Sequence, residues 1–98
     1  MIKFNSMNEW SFSGEIFYLK ELEKDYGASV KIRGVSEGSF GQRVCELSCL
    51  VGFDAYKDAL KKGIKQYKHV ALSGHMETFV KKGNPKTMFI ADYILEVA

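Results

Sequence analysis

The chain has 98 residues, of which 46% are hydrophobic, and a formal net charge of +2. This length allows one domain with a single core, and this hydrophobic content excludes an intrinsically disordered chain. The net charge is too weak to predict nucleic-acid binding by itself, so the placement of the charges matters more than their sum.

The first predicted element is a β-strand over residues 9–22. Apolar side chains from Trp10 to Tyr18 recur at every second position, which predicts that they face a core, while Phe17 has the opposite, solvent-facing parity. Gly14 interrupts the pattern, as glycine does where a barrel strand bends or bulges. A bulge there would exchange the roles of Trp10 and Phe17, so both remain candidates for an exposed ring.

The second predicted strand covers residues 28–33 and places Lys31 and Arg33 together on its solvent face. Residues 34–42 follow, with three glycines and two serines. This composition predicts a flexible loop with Phe40 near its tip. A phenylalanine in such a loop has little core to join, which favours a role in binding.

The third predicted strand covers residues 43–52 and contains both cysteines. Cys45 and Cys49 are four residues apart, so a regular strand would place them on one face but beyond disulfide distance. We expect free, buried thiols in a reducing compartment.

A helix is predicted next, with Asp54 as its N-cap and apolar residues at helical spacing from Tyr56 to Tyr67. Gly63 either weakens this helix or marks an early end. The lysines between the apolar positions are expected to form a solvated face.

The last third of the chain predicts two more strands around a basic loop. The fourth begins at Val70 and is interrupted by Gly74, a turn follows at Asn84 and Pro85, and the fifth covers residues 87–97. Three strands, a helix and two strands is the element order of an OB-fold. We therefore predict an all-β fold with one helix, a five-stranded Greek-key barrel with the helix between strands 3 and 4, formed by residues 1–98 as a single domain.

Nothing in the sequence indicates an enzyme. A phosphate-binding Gly-Lys-Ser/Thr loop is absent, and His69 and His75 have only Glu77 nearby as a further metal ligand. We expect no catalytic residue, no metal and no cofactor. No signal peptide or membrane-spanning run is visible, so the chain is expected to be cytoplasmic.

Aromatic and basic residues instead indicate recognition of single-stranded nucleic acid, which exposes flat bases beside charged phosphates. Seven Phe, five Tyr and one Trp are more than a core of this size can bury. The predicted stacking residues are Phe17, Phe40 and Phe53, and the predicted phosphate contacts are Lys31, Arg33, Arg43, Lys81 and Lys82. Phe53 has an open alternative, in which it packs the helix against the end of the barrel.

Four short motifs resemble the family of bacterial single-stranded DNA-binding proteins, which includes the similar OB-fold of primosomal replication protein N. They lie at residues 10–16, 27–33, 47–52 and 70–76, where apolar residues alternate before a glycine or, in the second motif, after one. The resemblance implies largely sequence-independent binding of single-stranded DNA in replication or repair, and assembly into a homodimer or homotetramer.

The chain departs from that family in two ways. Cys45 or a neighbour stands where family members carry a stacking tryptophan, and the sequence ends at Ala98 without their acidic tail. We therefore expect no recruitment of partners through such a tail. Two other functions stay open: an RNA-binding OB domain, and a protein-interaction module that uses the same barrel.

Overall fold

The computed structural model describes residues 8–23 and 26–97. Within them the elements are β1 (Trp10–Glu21), β2 (Ala28–Gly38), β3 (Gly41–Val51), α1 (Phe53–Lys61), β4 (His69–Lys81) and β5 (Asn84–Glu96). The strands close a barrel in the order β1-β2-β3-β5-β4, with a short parallel pairing between β3 and β5. The predicted fold class is confirmed: an all-β, five-stranded OB-fold barrel with its helix between β3 and β4.

The core takes alternate residues from β2, β3 and β4, as the period-two pattern predicts, whereas its two buried residues from β5, Ala91 and Ile94, are three apart because the β4–β5 pairing shifts register there. The largest fully buried side chains are Ile16, Ile32, Leu72, Val30, Val51, Val70 and Cys49. Burying one aliphatic side chain of this size stabilises a fold by about 1.5–3 kcal/mol, so these positions hold the barrel together. Trp10 is partly buried against this cluster and its indole N–H donates to the carbonyl of His75 at 2.8 Å, so its ring lies at the edge of the core.

A β-bulge in β1 changes the direction of its side chains. The pairing of β1 with β2 shifts register between Ile16 and Tyr18, so Phe17 and Tyr18 both lie outside the barrel while Leu19 packs against the core. The predicted core parity of Tyr18 is therefore wrong, because a bulge inserts one residue and reverses the alternation beyond it. Gly14 is not the site of this bulge. It instead allows a close approach of β1 to β2, because an added Cβ there would collide with the backbone carbonyl of Arg33.

Helix α1 is shorter than the sequence pattern predicts. Gly52 is its N-cap and Asp54 lies in its first turn, so the predicted capping role of Asp54 is wrong. The helix ends at Lys61, and Gly63 adopts the left-handed φ of 77° that terminates helices. Within residues 8–23 and 26–97, no helix is long and apolar enough to cross a membrane.

Two hairpins extend beyond the barrel. We call residues 34–45 the β2–β3 arm and residues 77–88 the β4–β5 arm. The predicted flexible loop is in fact the β2–β3 arm, since β2 and β3 stay paired as far as Gly38 and Gly41. The β4–β5 arm turns at Lys82 and Gly83, with φ of 52° and 79°, and not at the predicted Asn84–Pro85. Paired positive φ values match the twist of a two-residue hairpin turn.

The β2–β3 arm also separates the two cysteines. Cys49 lies inside the barrel, where burial raises the pKa of its thiol to about 12. Cys45 lies on the arm and is exposed, so the expectation that both thiols are buried is wrong. The two residues share a strand face, but that face leaves the core where the arm begins.

Candidate nucleic-acid interface

The outer surface of β1 and β2 brings two aromatic rings beside two cations. The Lys31 ammonium lies 5.3 Å from the centre of the Tyr18 ring, and the Arg33 guanidinium lies 4.5 Å from the centre of the Phe17 ring. Both distances are within the range of cation–π attraction. We call these four residues the aromatic–cation patch. Phe17, Lys31 and Arg33 were predicted as binding residues, and the structure places them together.

Register accounts for this arrangement. Tyr18 lies directly opposite Lys31 in the β1–β2 ladder, and Arg33 lies opposite Glu15, two residues before Phe17. Paired residues of antiparallel strands have neighbouring Cβ atoms, so their side chains meet on one face. The bulge then brings Phe17 and Tyr18 to the same surface although they are adjacent in sequence.

Tyr18 is the member of the patch that the sequence interpretation missed. Its side chain is 39% exposed, in a strand where period-two alternation predicts burial. The signal that could have revealed it is the unbroken apolar run of residues 16–19. Four consecutive large apolar residues cannot all follow one alternation, so the run itself indicates an irregular strand.

Arg33 has a second partner on β3. Its Nε and Nη2 groups both donate to Oε1 of Glu46, at 3.3 and 3.2 Å. The two side chains are 51% and 55% exposed. The guanidinium is therefore held between an aromatic ring and a carboxylate, while remaining accessible to solvent.

The other predicted residues of β2 and β3 lie away from the patch. Phe40 is 84% exposed at the tip of the β2–β3 arm. It lies in the turn just after Gly38, where β2 ends, and Gly38 is five residues, or about 17 Å of extended strand, beyond Arg33. Arg43 pairs with Ser36, three residues after Arg33, and so lies on the opposite face of this hairpin.

Phe53 and the lysine pair occupy two further positions. Phe53 begins α1, is partly buried, and has the Lys57 ammonium 5.2 Å from its ring centre. It lines a cavity at the end of the barrel, together with Tyr56. Lys81 ends β4 and Lys82 forms the turn, so both are at the tip of the β4–β5 arm. The structure thus distributes the predicted residues over the patch, the helix and two arms.

A histidine–carboxylate cluster lies at the base of the β4–β5 arm. The Nδ1 atom of His75 is 2.6 Å from Asp92, and its Nε2 atom is 2.6 Å from Glu77. Hydrogen bonds that the ring donates to the Asp92 carboxylate and then to the Glu77 carboxylate raise the pKa of His75 above its ordinary value. Both ring nitrogens are occupied, and within the described residues no three His, Cys, Asp or Glu side chains are arranged to hold a metal ion.

This cluster predicts a pH-dependent stability. Because the folded state raises the pKa of His75 above 6.5, folding favours the protonated ring. The stabilisation is complete below that ordinary value and is lost as the pH rises through the raised pKa. We expect the difference in Tm between the wild type and His75→Gln to be larger at about pH 6 than at about pH 9 in thermal unfolding.

His69→Gln is the matched control, since it removes the other histidine of β4. The assignment of a charged His75 in this cluster would be contradicted if the loss of Tm in His75→Gln grew with pH. It would also be contradicted if that loss equalled the loss in His69→Gln at both pH values.

The described residues therefore form an OB-fold barrel with an aromatic–cation patch on its outer surface, and solved structures share this fold over nearly the whole chain. A small single-stranded DNA-binding protein from Mycoplasma pneumoniae has a TM-score of 0.66 at 20% identity, over 92% of this chain and 93% of that one. The Plasmodium falciparum SSB in complex with single-stranded DNA has a TM-score of 0.64 at 16% identity, over 99% and 100%.

The dimeric N-terminal domain of PriB from Thermoanaerobacter tencongensis has a TM-score of 0.61 at 13% identity, over 93% of this chain and 97% of that one. No protein-family model and no curated protein sequence matches the chain. At these identities the likeness establishes the fold, and the resemblance stated from the sequence is confirmed at that level.

Proposed function

We propose that this protein binds single-stranded DNA with little sequence preference. The observation that carries the proposal is the aromatic–cation patch, in which two rings each have a cation within 5.3 Å on the outer surface of β1 and β2. In OB-folds, oligonucleotides bind on the face formed by strands 2 and 3 and on the adjoining loops. The solved structures of similar fold that are described as single-stranded DNA-binding proteins support the same ligand.

In this mechanism the bases stack on Phe17 and Tyr18, and the phosphates contact Lys31 and Arg33. Stacking is tolerant of sequence because every base has a π-face, and each stacked base contributes roughly 1–3 kcal/mol. Phosphate contacts add affinity by releasing counterions from the nucleic acid. No bond is made or broken, and the step is a binding equilibrium.

The two arms and the helix extend the proposed interface beyond the patch. Phe40 and Arg43 on the β2–β3 arm, Lys81 and Lys82 on the β4–β5 arm, and Phe53 at the start of α1 are the proposed additional contacts. Their separation from the patch means that a strand of several nucleotides is needed to reach them. We therefore expect affinity to rise with oligonucleotide length before it levels off.

Fluorescence anisotropy of labelled oligo-dT tests the proposal, with duplex DNA and oligo-U as competitors at low and moderate salt. Salt-sensitive binding to oligo-dT, and not to duplex, is the expected result. A clear preference for oligo-U would favour the RNA-binding alternative, since only RNA offers a 2′-hydroxyl. Absence of binding to every oligonucleotide at low salt would favour the protein-interaction alternative and overturn the proposal.

The two cations of the patch predict a specific change in salt dependence. Replacing Lys31 and Arg33 together by glutamine is expected to weaken oligo-dT binding and to flatten its dependence on salt. Each phosphate contact to a single strand contributes about 0.7 to the slope of log affinity against log salt, so the loss is up to about 1.4. The slope is measured by anisotropy titrations over a series of salt concentrations.

The control for this variant is Lys61→Gln with Lys65→Gln, at the C-terminal end of α1 and just beyond it. It removes the same charge at a distance from the patch. Equal slopes for the two double variants would show that only net charge matters, and would remove Lys31 and Arg33 from the interface.

We also propose that the chain forms a homodimer or homotetramer. The similar PriB domain is described as dimeric, which supports this assembly. Light scattering coupled to size-exclusion chromatography is expected to give a multiple of the 11.1 kDa chain mass. A mass equal to one chain at micromolar concentration would contradict the proposal.

A further inference from the structure

One carboxylate of β3 is bound directly to the aromatic–cation patch. Glu46 lies opposite Arg33 in the β2–β3 ladder and accepts hydrogen bonds from its Nε and Nη2 groups at 3.3 and 3.2 Å. These two groups form an edge of the guanidinium that arginine uses to bind carboxylates and phosphates alike. Glu46 thus occupies one of the two edges of the Arg33 guanidinium that a phosphate could use.

The neighbouring cation of the patch has no such partner across the strand. Lys31 lies opposite Ser48, a neutral residue, in the same ladder. The two cations are two residues apart on one face of β2, and their cross-strand neighbours differ in charge. Among the described residues, Lys31 therefore presents an uncompensated charge to a ligand, whereas the charge of Arg33 is balanced by Glu46.

We propose that Glu46 acts as an internal competitor for phosphate, which occupies Arg33 in the free protein and limits both the affinity of the patch and its salt dependence. This inference rests on the proposed function. A bound phosphate must either displace Glu46 from Arg33 or lie beside its negative charge. In both cases Arg33 neutralises less of the phosphate charge, so fewer counterions are released on binding.

The exposure of the pair makes it a suitable regulator of affinity. Both side chains are about half exposed, at 51% and 55%, so their attraction is screened and reversible. A buried pair would resist exchange with the ligand, because separating it would leave an uncompensated charge in the protein interior. At this position the pair opens at low cost, and the arginine remains available to a strand that offers several phosphates.

The test compares Glu46→Gln with Glu37→Gln in anisotropy titrations of oligo-dT across a salt series. Glu37 lies on the same face of β2, four residues beyond Arg33 and opposite Gln42. Its replacement makes the same change in charge, about 13 Å along the strand from Arg33. The pair of variants separates a direct contact from a general increase in positive charge.

We expect Glu46→Gln to tighten binding at low salt by roughly 1.5- to 5-fold, which is the value of an exposed ion pair. It should also steepen the salt slope by about 0.7, because one further phosphate is neutralised. Glu37→Gln is expected to give a smaller gain with the slope unchanged. In an Arg33→Gln background, Glu46→Gln should lose its advantage over Glu37→Gln.

A third comparison uses the two cations separately. In the wild type, Lys31→Gln should reduce the salt slope more than Arg33→Gln, and the two should become equal when Glu46 is glutamine. If the wild type binds oligo-dT, but Glu46→Gln and Glu37→Gln change the affinity and the salt slope equally, this inference alone is overturned. It is also overturned if Glu46→Gln keeps its advantage over Glu37→Gln in the Arg33→Gln background. Absence of binding by every one of these proteins overturns the proposed function and this inference together.

Discussion

Replacing Phe17 and Tyr18 together by alanine is expected to reduce oligo-dT affinity more than any other pair of surface substitutions in this chain. Stacked bases contribute roughly 1–3 kcal/mol each by alanine substitution, and both rings of the patch would be lost. The cations would also lose the aromatic surfaces that position them, at 4.5 and 5.3 Å. Anisotropy titration at a single low salt concentration measures the loss.

Tyr93→Ala is the control for this experiment. Tyr93 is 71% exposed, more than either ring of the patch, but it lies on β5, which pairs with β3 and β4 rather than with β1 or β2. Phe17 is half-buried, so the thermal unfolding of each variant must be measured beside its binding. A folded Phe17/Tyr18 variant that binds as tightly as Tyr93→Ala would remove the patch from the proposed interface.

The second large effect concerns the barrel itself. Gly74→Ala is expected to destabilise the fold by about 3 kcal/mol or more, because an added Cβ would overlap the backbone carbonyl of Ile90 and neither backbone can yield without breaking the ladder. Gly74 also lies at the register shift between β4 and β5. For a domain of this size the loss corresponds to a fall in Tm of more than about 10 °C.

Gly38→Ala provides the comparison, since an added Cβ there meets nothing within 4 Å in the described part of the chain. Its Tm is expected to stay close to that of the wild type. If both alanine variants melt at the same temperature, close packing at Gly74 does not limit stability, and the glycine is retained for another reason.

The candidate site was only partly predictable from sequence. Lys31 and Arg33 were correctly placed on one exposed face because alternation in β2 is regular, so residues two apart share a face. Phe17 was placed outside the barrel from the alternation of residues 10–16 of β1, whereas Tyr18 was placed in the core because the bulge between Ile16 and Tyr18 reverses that alternation. No local pattern locates a bulge to one residue, since it depends on how two strands pair.

The arms show the same limit on a larger scale. Glycine and serine content predicted a loop over residues 34–42, whereas pairing across the strands makes most of it a hairpin. Composition reports the conformational freedom of a segment, but it does not report whether a partner strand is available to satisfy its backbone hydrogen bonds. Cys45 is exposed because β3 continues into this hairpin, where the strand face that carries Cys45 no longer covers the core.

The sequence by itself determined the element order, the identity of the core residues in β2 and the five-stranded barrel. These follow from periodicities of two and 3.6 residues, which are local properties of the chain. Only the tertiary structure decided that Tyr18 joins Phe17 on the surface, that Arg43 lies on the opposite face of the arm from Arg33, and that Glu46 binds Arg33. Those outcomes depend on strand register, which is set by long-range pairing and packing rather than by any short segment of sequence.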